Sequence, residues 1–160
     1  MRTSYVRGML RRLATTAALV SAVATTAVVA IPSASTAATA ALRITKIYYD
    51  SPNADRGGNT SLNAEWVRIT NTTSTNRSLT GWTLKDKTGY TYKFPAFTLK
   101  ANASVYVHTG KGTATSGHRY YNRTWYVWNN TGDTAYLRDS KGVLKDSWAF
   151  KPTKYGYVVR

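Results

Sequence analysis

Two histidines, His108 and His118, flank the polar stretch Gly110 to Gly117 and are near enough in the chain to approach one another. Paired imidazoles can move protons, but acid–base chemistry also needs a nucleophile, a partnered carboxylate or a metal at workable spacing. No G-x-S-x-G, no H-E-x-x-H and no closely paired acidic motif accompanies them. Gly110-Lys111-Gly112-Thr113 superficially resembles a phosphate loop, yet it lacks the earlier glycine and the following helix and reads as a solvated turn. With no cysteine in the chain, thiol nucleophiles and thiolate-ligated metals are excluded. This inventory argues for a non-catalytic protein, with an accessory or weak phosphodiesterase or other hydrolase as the enzymatic alternative.

Two other constellations point to binding. Asp50, Asp55, Asn59, Asn63 and Glu65 place three carboxylates and two amides in or beside one Gly-containing loop. Calcium takes six to eight such oxygens, so the composition permits a calcium-stabilised extracellular structural domain, although the spacing is not that of an EF-hand. Loop Asp and Asn more commonly bond only their local backbone. The second constellation mixes cations with aromatics: Arg68, Arg119, Tyr120, Tyr121, Arg123 and Arg138, alongside Tyr106, His108 and Tyr136. Cations track a phosphate backbone and aromatic faces stack bases or sugar rings. The overall balance agrees with this: 22 Lys and Arg stand against 7 Asp and Glu, a net charge of +15. Nucleic acid and anionic wall polymers are therefore the expected partners, against the plainer reading that the charge only keeps the protein soluble.

Strands must position these residues. Residues 1 to 40 carry Arg2, Arg7, Arg11 and Arg12, then an uncharged run from Leu13 to Ile31, then Pro32 and a stretch of Ser, Thr and Ala. That is the pattern of a cleaved signal peptide with processing near Ala37 or Ala40; the alternative is an uncleaved anchor, against which the interspersed Thr and Ser count. The expected location is secreted, either extracellular or associated with the cell wall. Without the four signal arginines the remaining chain keeps eighteen cations against seven anions, or +11.

Residues 41 to 160 show alternation and turn signals but no helical periodicity. Leu42 to Tyr49, Ala64 to Thr70, Tyr90 to Phe94, Ser104 to Thr109, Thr134 to Arg138 and Val143 to Phe150 read as strands, with Val67 and Ile69 inward and Trp66, Arg68 and Thr70 outward. Tyr90, Tyr92 and Phe94 are expected to share one face, and Asp50 to Asn63 to be a long loop. Between Leu79 and Trp82 the apolar parity slips, and Gly81 is expected to take the unpaired place of a bulge that turns Trp82 into the core. Seven to nine short strands at about ten-residue spacing imply an all-β sandwich or barrel.

The order of blocks carries a resemblance. E-W-V-R-I-T-N-T, S-L-T-G-W-T-L-K-D, Y-K-F-P-A-F-T-L-K-A-N-A-S-V-Y-V-H-T-G and Y-V-W-N-N-T-G-D-T-A-Y-L-R-D-S-K-G together resemble the lamin tail domain family, in its secreted, stand-alone actinobacterial form. The resemblance implies an immunoglobulin-like β-sandwich over Leu42 to Phe150 with structural roles for Trp66, Leu79, Gly81, Trp82, Asn130, Gly132 and Asp133, and no catalytic residues. It implies a binding or interaction module and leaves the oligomeric state open.

Overall fold

The computed structural model describes residues 40–52 and 54–160. The signal-peptide reading falls on residues outside this range. Eleven strands and one short helix follow in order: β1 (Leu42–Tyr48), α1 (Asn59–Ala64), β2 (Trp66–Asn71), β3 (Arg77–Ser78), β4 (Thr83–Lys85), β5 (Thr91–Lys93), β6 (Thr98–Leu99), β7 (Ser104–His108), β8 (His118–Tyr120), β9 (Asp133–Arg138), β10 (Leu144–Phe150) and β11 (Tyr157–Val159). They form a five-stranded sheet in the order β11-β1-β2-β7-β8, a four-stranded sheet β10-β9-β4-β5, and a small β3-β6 ribbon. All pairings are antiparallel except β7 with β8, which is parallel.

Period-two alternation builds the core. Ile44, Ile47, Val67, Ile69, Val105 and Val107 of the larger sheet and Leu84, Ala135, Leu137 and Phe150 of the smaller one belong to a single buried cluster with Leu79, Phe94, Leu99 and Trp128. Each successive side chain of a strand points to the opposite face, so these inward residues fix Trp66, Arg68, Tyr106 and His108 on the outer one. Burial of this apolar surface, at roughly 25 cal/mol per Å², stands in for the absent disulfides.

Three local expectations are corrected. Asn59 to Ala64 is a helical turn and a half inside the stretch read as a loop. Its sequence, N-T-S-L-N-A, has weak helix formers and one apolar anchor, Leu62, which is 2 % exposed; no periodicity exists to read. Gly81 is the third residue of a tight turn rather than a bulge: Trp82 N donates to Leu79 O at 2.9 Å and Gly81 has φ +77°, the left-handed conformation this turn type requires. Trp82 consequently packs on the core from its rim, half-buried rather than enclosed. Finally, Tyr90 leaves the face it was expected to share, because it precedes β5 and is 41 % exposed while Phe94 is 1 %.

Two polar side chains fasten loops from within. Asp133 accepts from the backbone N–H of Lys87 at 3.1 Å, Asn129 at 3.2 Å and Thr134 at 2.6 Å, joining two turns that sequence separates. Asn71, fully buried, donates its amide to the carbonyls of Thr75, Leu99 and Lys100 and accepts from Thr73. Buried polar groups are tolerated when every bond is made, and these bonds hold the β3-β6 ribbon against the sandwich.

Candidate functional site

Register places two rows of side chains across the outer face of the five-stranded sheet. One row, in order of adjacent strands, is Tyr157, Tyr48, Trp66, His108 and Tyr120. The next is Val159, Lys46, Arg68, Tyr106 and His118. Neither row contains a carboxylate. A third row begins with Arg43, Thr70 and Ser104. There the hydroxyls of Thr45 and Thr70 lie 2.7 Å apart and those of Thr70 and Ser104 2.8 Å apart, while Arg68 Nε donates to Thr45 Oγ1 at 2.9 Å. The bulge in β1 between Ile44 and Lys46 makes room for this bond and sends Lys46 outward.

The rings of the two rows pack on one another. Tyr106 and His118 have centroids 5.4 Å apart at 19°, His118 and His108 5.1 Å at 25°, and His108 and Tyr120 5.2 Å at 21°. The Tyr106–His118 and His108–Tyr120 pairs, neighbours on adjacent strands, are offset-stacked, whereas His108 and His118 meet edge to edge through their ring nitrogens. On the other side of the face Tyr48 stacks on Tyr157 at 5.5 Å, and Trp66 lies edge-on to Tyr106 at 5.0 Å. Lys46 Nζ sits 3.9 Å from the Tyr157 centroid and 5.4 Å from that of Trp66. Gly112 closes on Tyr120 so tightly that a Cβ there would stand 2.4 Å from the ring.

The histidines do meet, as their spacing allowed. His108 Nδ1 is 2.7 Å from the carbonyl of Asn63, which can only accept, so that nitrogen carries the hydrogen. His108 Nε2 then accepts from His118 Nδ1 at 2.8 Å. Burial, aided by the neighbouring His118, holds the His108 imidazole below its ordinary pKa against the pull of the Asn63 bond. Both rings are thus committed to a stack and a bond chain. No hydroxyl nucleophile or carboxylate hydrogen-bonds to either among the described residues, and the arrangement is one of a packed surface.

Of the residues expected to bind polyanions, Arg68 and Tyr120 lie on this face with Tyr106 and His108, and Arg119, Tyr121, Arg123 and Arg138 do not. Arg119 faces inward opposite Val107, is 8 % exposed, and lays its guanidinium 3.9 Å from the Phe97 centroid while donating to the carbonyls of Thr115 and His118. Tyr121 donates its hydroxyl to Leu84 O at 2.9 Å, and burial raises its phenol well above the ordinary range. Arg123 stacks over Tyr90 at 4.1 Å, and Arg138 belongs to β9 in the other sheet, where it donates to Gly142 O at 3.1 Å. Strand parity explains the inward turn of Arg119: His118 and Tyr120 point out, so the residue between them cannot. Lys46, Tyr48 and Tyr157 escape sequence reading because the pairing of β1, β2, β7 and β11 is what brings them beside Tyr106 and His108.

The five oxygen-bearing residues expected to share a cation are divided among three places. Asn130 Nδ2 donates to Asp50 Oδ1 at 3.2 Å and to Asp55 Oδ2 at 3.1 Å. Asn59 and Asn63 hold the β7–β8 loop, both donating to Lys111 O, with Lys111 N donating back to Asn59 Oδ1 at 2.7 Å. Glu65 is fully buried and accepts from Thr109 Oγ1 and from Val127 N, the latter at 2.9 Å. Burial pushes its carboxyl up to about 8, and a neutral acid is a poor cation ligand. Among the described residues no group of three or more His, Cys, Asp or Glu converges.

Two packed sheets, antiparallel at every pairing but β7–β8, define an immunoglobulin-like β-sandwich. The family model of the Lamin Tail Domain matches residues 35–152, and the chain belongs to that family. Comparison with curated proteins gives no match. Membership of a family built on this non-enzymatic fold is compatible with the absence of catalysis that the residue inventory suggested.

Proposed function

We propose that the protein is a secreted, non-catalytic module that holds a linear polyanion, a nucleic-acid strand or an anionic wall polymer, across the outer face of its five-stranded sheet. The observation that carries the reading is the pair of registered rows containing Lys46 and Arg68 and no carboxylate, on a chain of +15. Because the rings are stacked on each other, they offer edges and a supporting floor rather than free faces. A polymer laid across them meets cations and hydrogen-bond donors, so recognition is of phosphate or other anionic groups and is indifferent to base identity.

The test is binding of single-stranded DNA and of inorganic polyphosphate between about 50 and 200 mM salt. Lys46→Gln with Arg68→Gln should weaken both and reduce the salt slope by roughly one for each phosphate no longer neutralised. Lys85→Gln with Lys93→Gln, on the other sheet, should leave affinity nearly unchanged. Equal losses from the two pairs would mean diffuse attraction with no face preferred.

A further inference from the structure

Away from the sheet face, a shallow cleft of about 330 Å³ opens between the stretch after β1, the turn before β5 and the segment leading into β9. Trp125, Tyr90, Tyr126 and Trp128 form its aromatic walls, with Asp55 and Asn130 among the polar ones. Trp125 is 57 % exposed and Tyr90 41 %, while every other described Trp, Tyr and Phe except Tyr155 is buried or half-buried. Trp125 is nonetheless held in place. It sits edge-on to Tyr126 at 5.5 Å and rests on Gly57, where a Cβ would come within 2.8 Å of the indole. Tyr126 is in turn fixed by Ser61, hydroxyl to hydroxyl at 2.8 Å. A rigid ring with its surface left in water is built to be covered.

The polar lining says what by. Asn130 must turn its nitrogen to the two carboxylates Asp50 and Asp55, which spends both amide hydrogens and leaves its oxygen, with the second oxygen of Asp55, as acceptors. Trp128, only 2 % exposed, keeps its indole N–H buried, out of reach of a ligand in the cleft. Acceptors alone would suit an ammonium group over an aromatic cage. The face of Tyr90 is already taken by the Arg123 guanidinium at 4.1 Å, however, so an incoming cation meets a like charge rather than a second open ring. A sugar ring donates its hydroxyls to the acceptors of Asp55 and Asn130 and presents a C–H face to Trp125.

We propose that this cleft binds an uncharged sugar unit of a polysaccharide, stacked on Trp125 and hydrogen-bonded by Asp55 and Asn130. The site is separate from the polyanion face and does not depend on it. It stands in surroundings rich in carboxylate, on a protein otherwise basic, so its affinity does not come from charge.

The experiment titrates the purified protein with neutral hexasaccharides of β-glucan, chitin, mannan, xylan and α-glucan type, following tryptophan fluorescence and heat. At least one should bind saturably, with affinity constant from about 50 to 500 mM salt, conditions that erode surface electrostatics. Trp125→Ala should weaken that binding about tenfold or more, Trp125→Tyr less, and Asp55→Asn to an intermediate degree. Lys46→Gln with Arg68→Gln should leave it unchanged, which separates failure here from failure of the polyanion reading. Trp125 is exposed, so its removal leaves the fold intact, and an unchanged melting curve verifies this. The proposal is overturned if no sugar saturates, if Trp125→Ala binds as the parent does, or if tetramethylammonium binds and the sugars do not.

Discussion

Glu65 is the residue at which burial and ionisation oppose each other most strongly. Its carboxyl accepts two hydrogen bonds on Oε1, from Thr109 and Val127, while Oε2 is buried without a partner, an arrangement that suits the protonated acid. Desolvation is the largest cause of its rise from 4.5 to about 8, with the Thr109 and backbone bonds opposing it. A folded-state pKa raised above the unfolded one contributes stability that is complete below about 4.5 and is lost as pH climbs toward 8. The slope contributed by one such group reaches about 1.4 kcal/mol per pH unit. Glu65→Gln reproduces the neutral form and should remove that slope, so melting temperatures of parent and variant should diverge between pH 5 and 8, with the variant the more stable at the higher pH. Parallel curves would show that Glu65 ionises freely in the folded protein.

At the scale of elements, the turn that carries Gly81 decides how β4 enters the smaller sheet. A residue with a Cβ at φ +77° is strained, and here the Cβ would also stand 3.1 Å from that of Ser140. Gly81→Ala should lower stability by about 1–2 kcal/mol, read as a drop of several degrees in thermal unfolding. A glycine that merely occupied a bulge in open space would give less. The long strands were legible because Val67 and Ile69, Val105 and Val107, and Ala135 and Leu137 alternate against polar neighbours. Helix α1 was not, because its stability comes from Leu62 in the core and from two asparagines reaching Lys111, a residue nearly fifty positions away in sequence that no local pattern records. The outer face was half-legible: Arg68 and Tyr120 could be suspected from alternation within one strand, but Lys46, Trp66 and Tyr157 become neighbours only through the pairing of β1 with β2 and β11. The inward turn of Arg119 was not legible, because composition alone does not fix the parity of a three-residue strand.

For the molecule as a whole, the seven acidic residues show how so basic a chain is kept in order. Glu65, Asp86 and Asp133 are buried; Asp139 pairs with Lys145 at 3.0 Å; Asp146 pairs with Arg160. Asp146 does more than pair: it sits at the bulge of β10 and accepts the N–H of Ile44, beside the bulge of β1, at 2.7 Å. An inward charge at a bulge is one way a sandwich guards a long edge strand against pairing with another copy. Asp146→Ala should leave Ile44 N–H and Arg160 without their acceptor, reduce stability by about 2–4 kcal/mol, and promote self-association visible by light scattering. A monodisperse variant with the parent's melting temperature would remove Asp146 from this role.

Arg160 completes the arrangement, its Nε donating to Ile44 O at 2.7 Å just past β11, the strand that pairs Val159 with Lys46. The first strand of the larger sheet is therefore flanked on one side by the eleventh. A polypeptide emerging residue by residue can form the β1–β2 and β2–β7 pairs early, yet β1 keeps an open edge until Tyr157 to Val159 has emerged. Loop closure over such a span makes folding slow, on the order of milliseconds to seconds for sandwiches of this size. Until β11 arrives the larger sheet stays unlocked, and the free edge of β1 is open to any other strand able to pair with it.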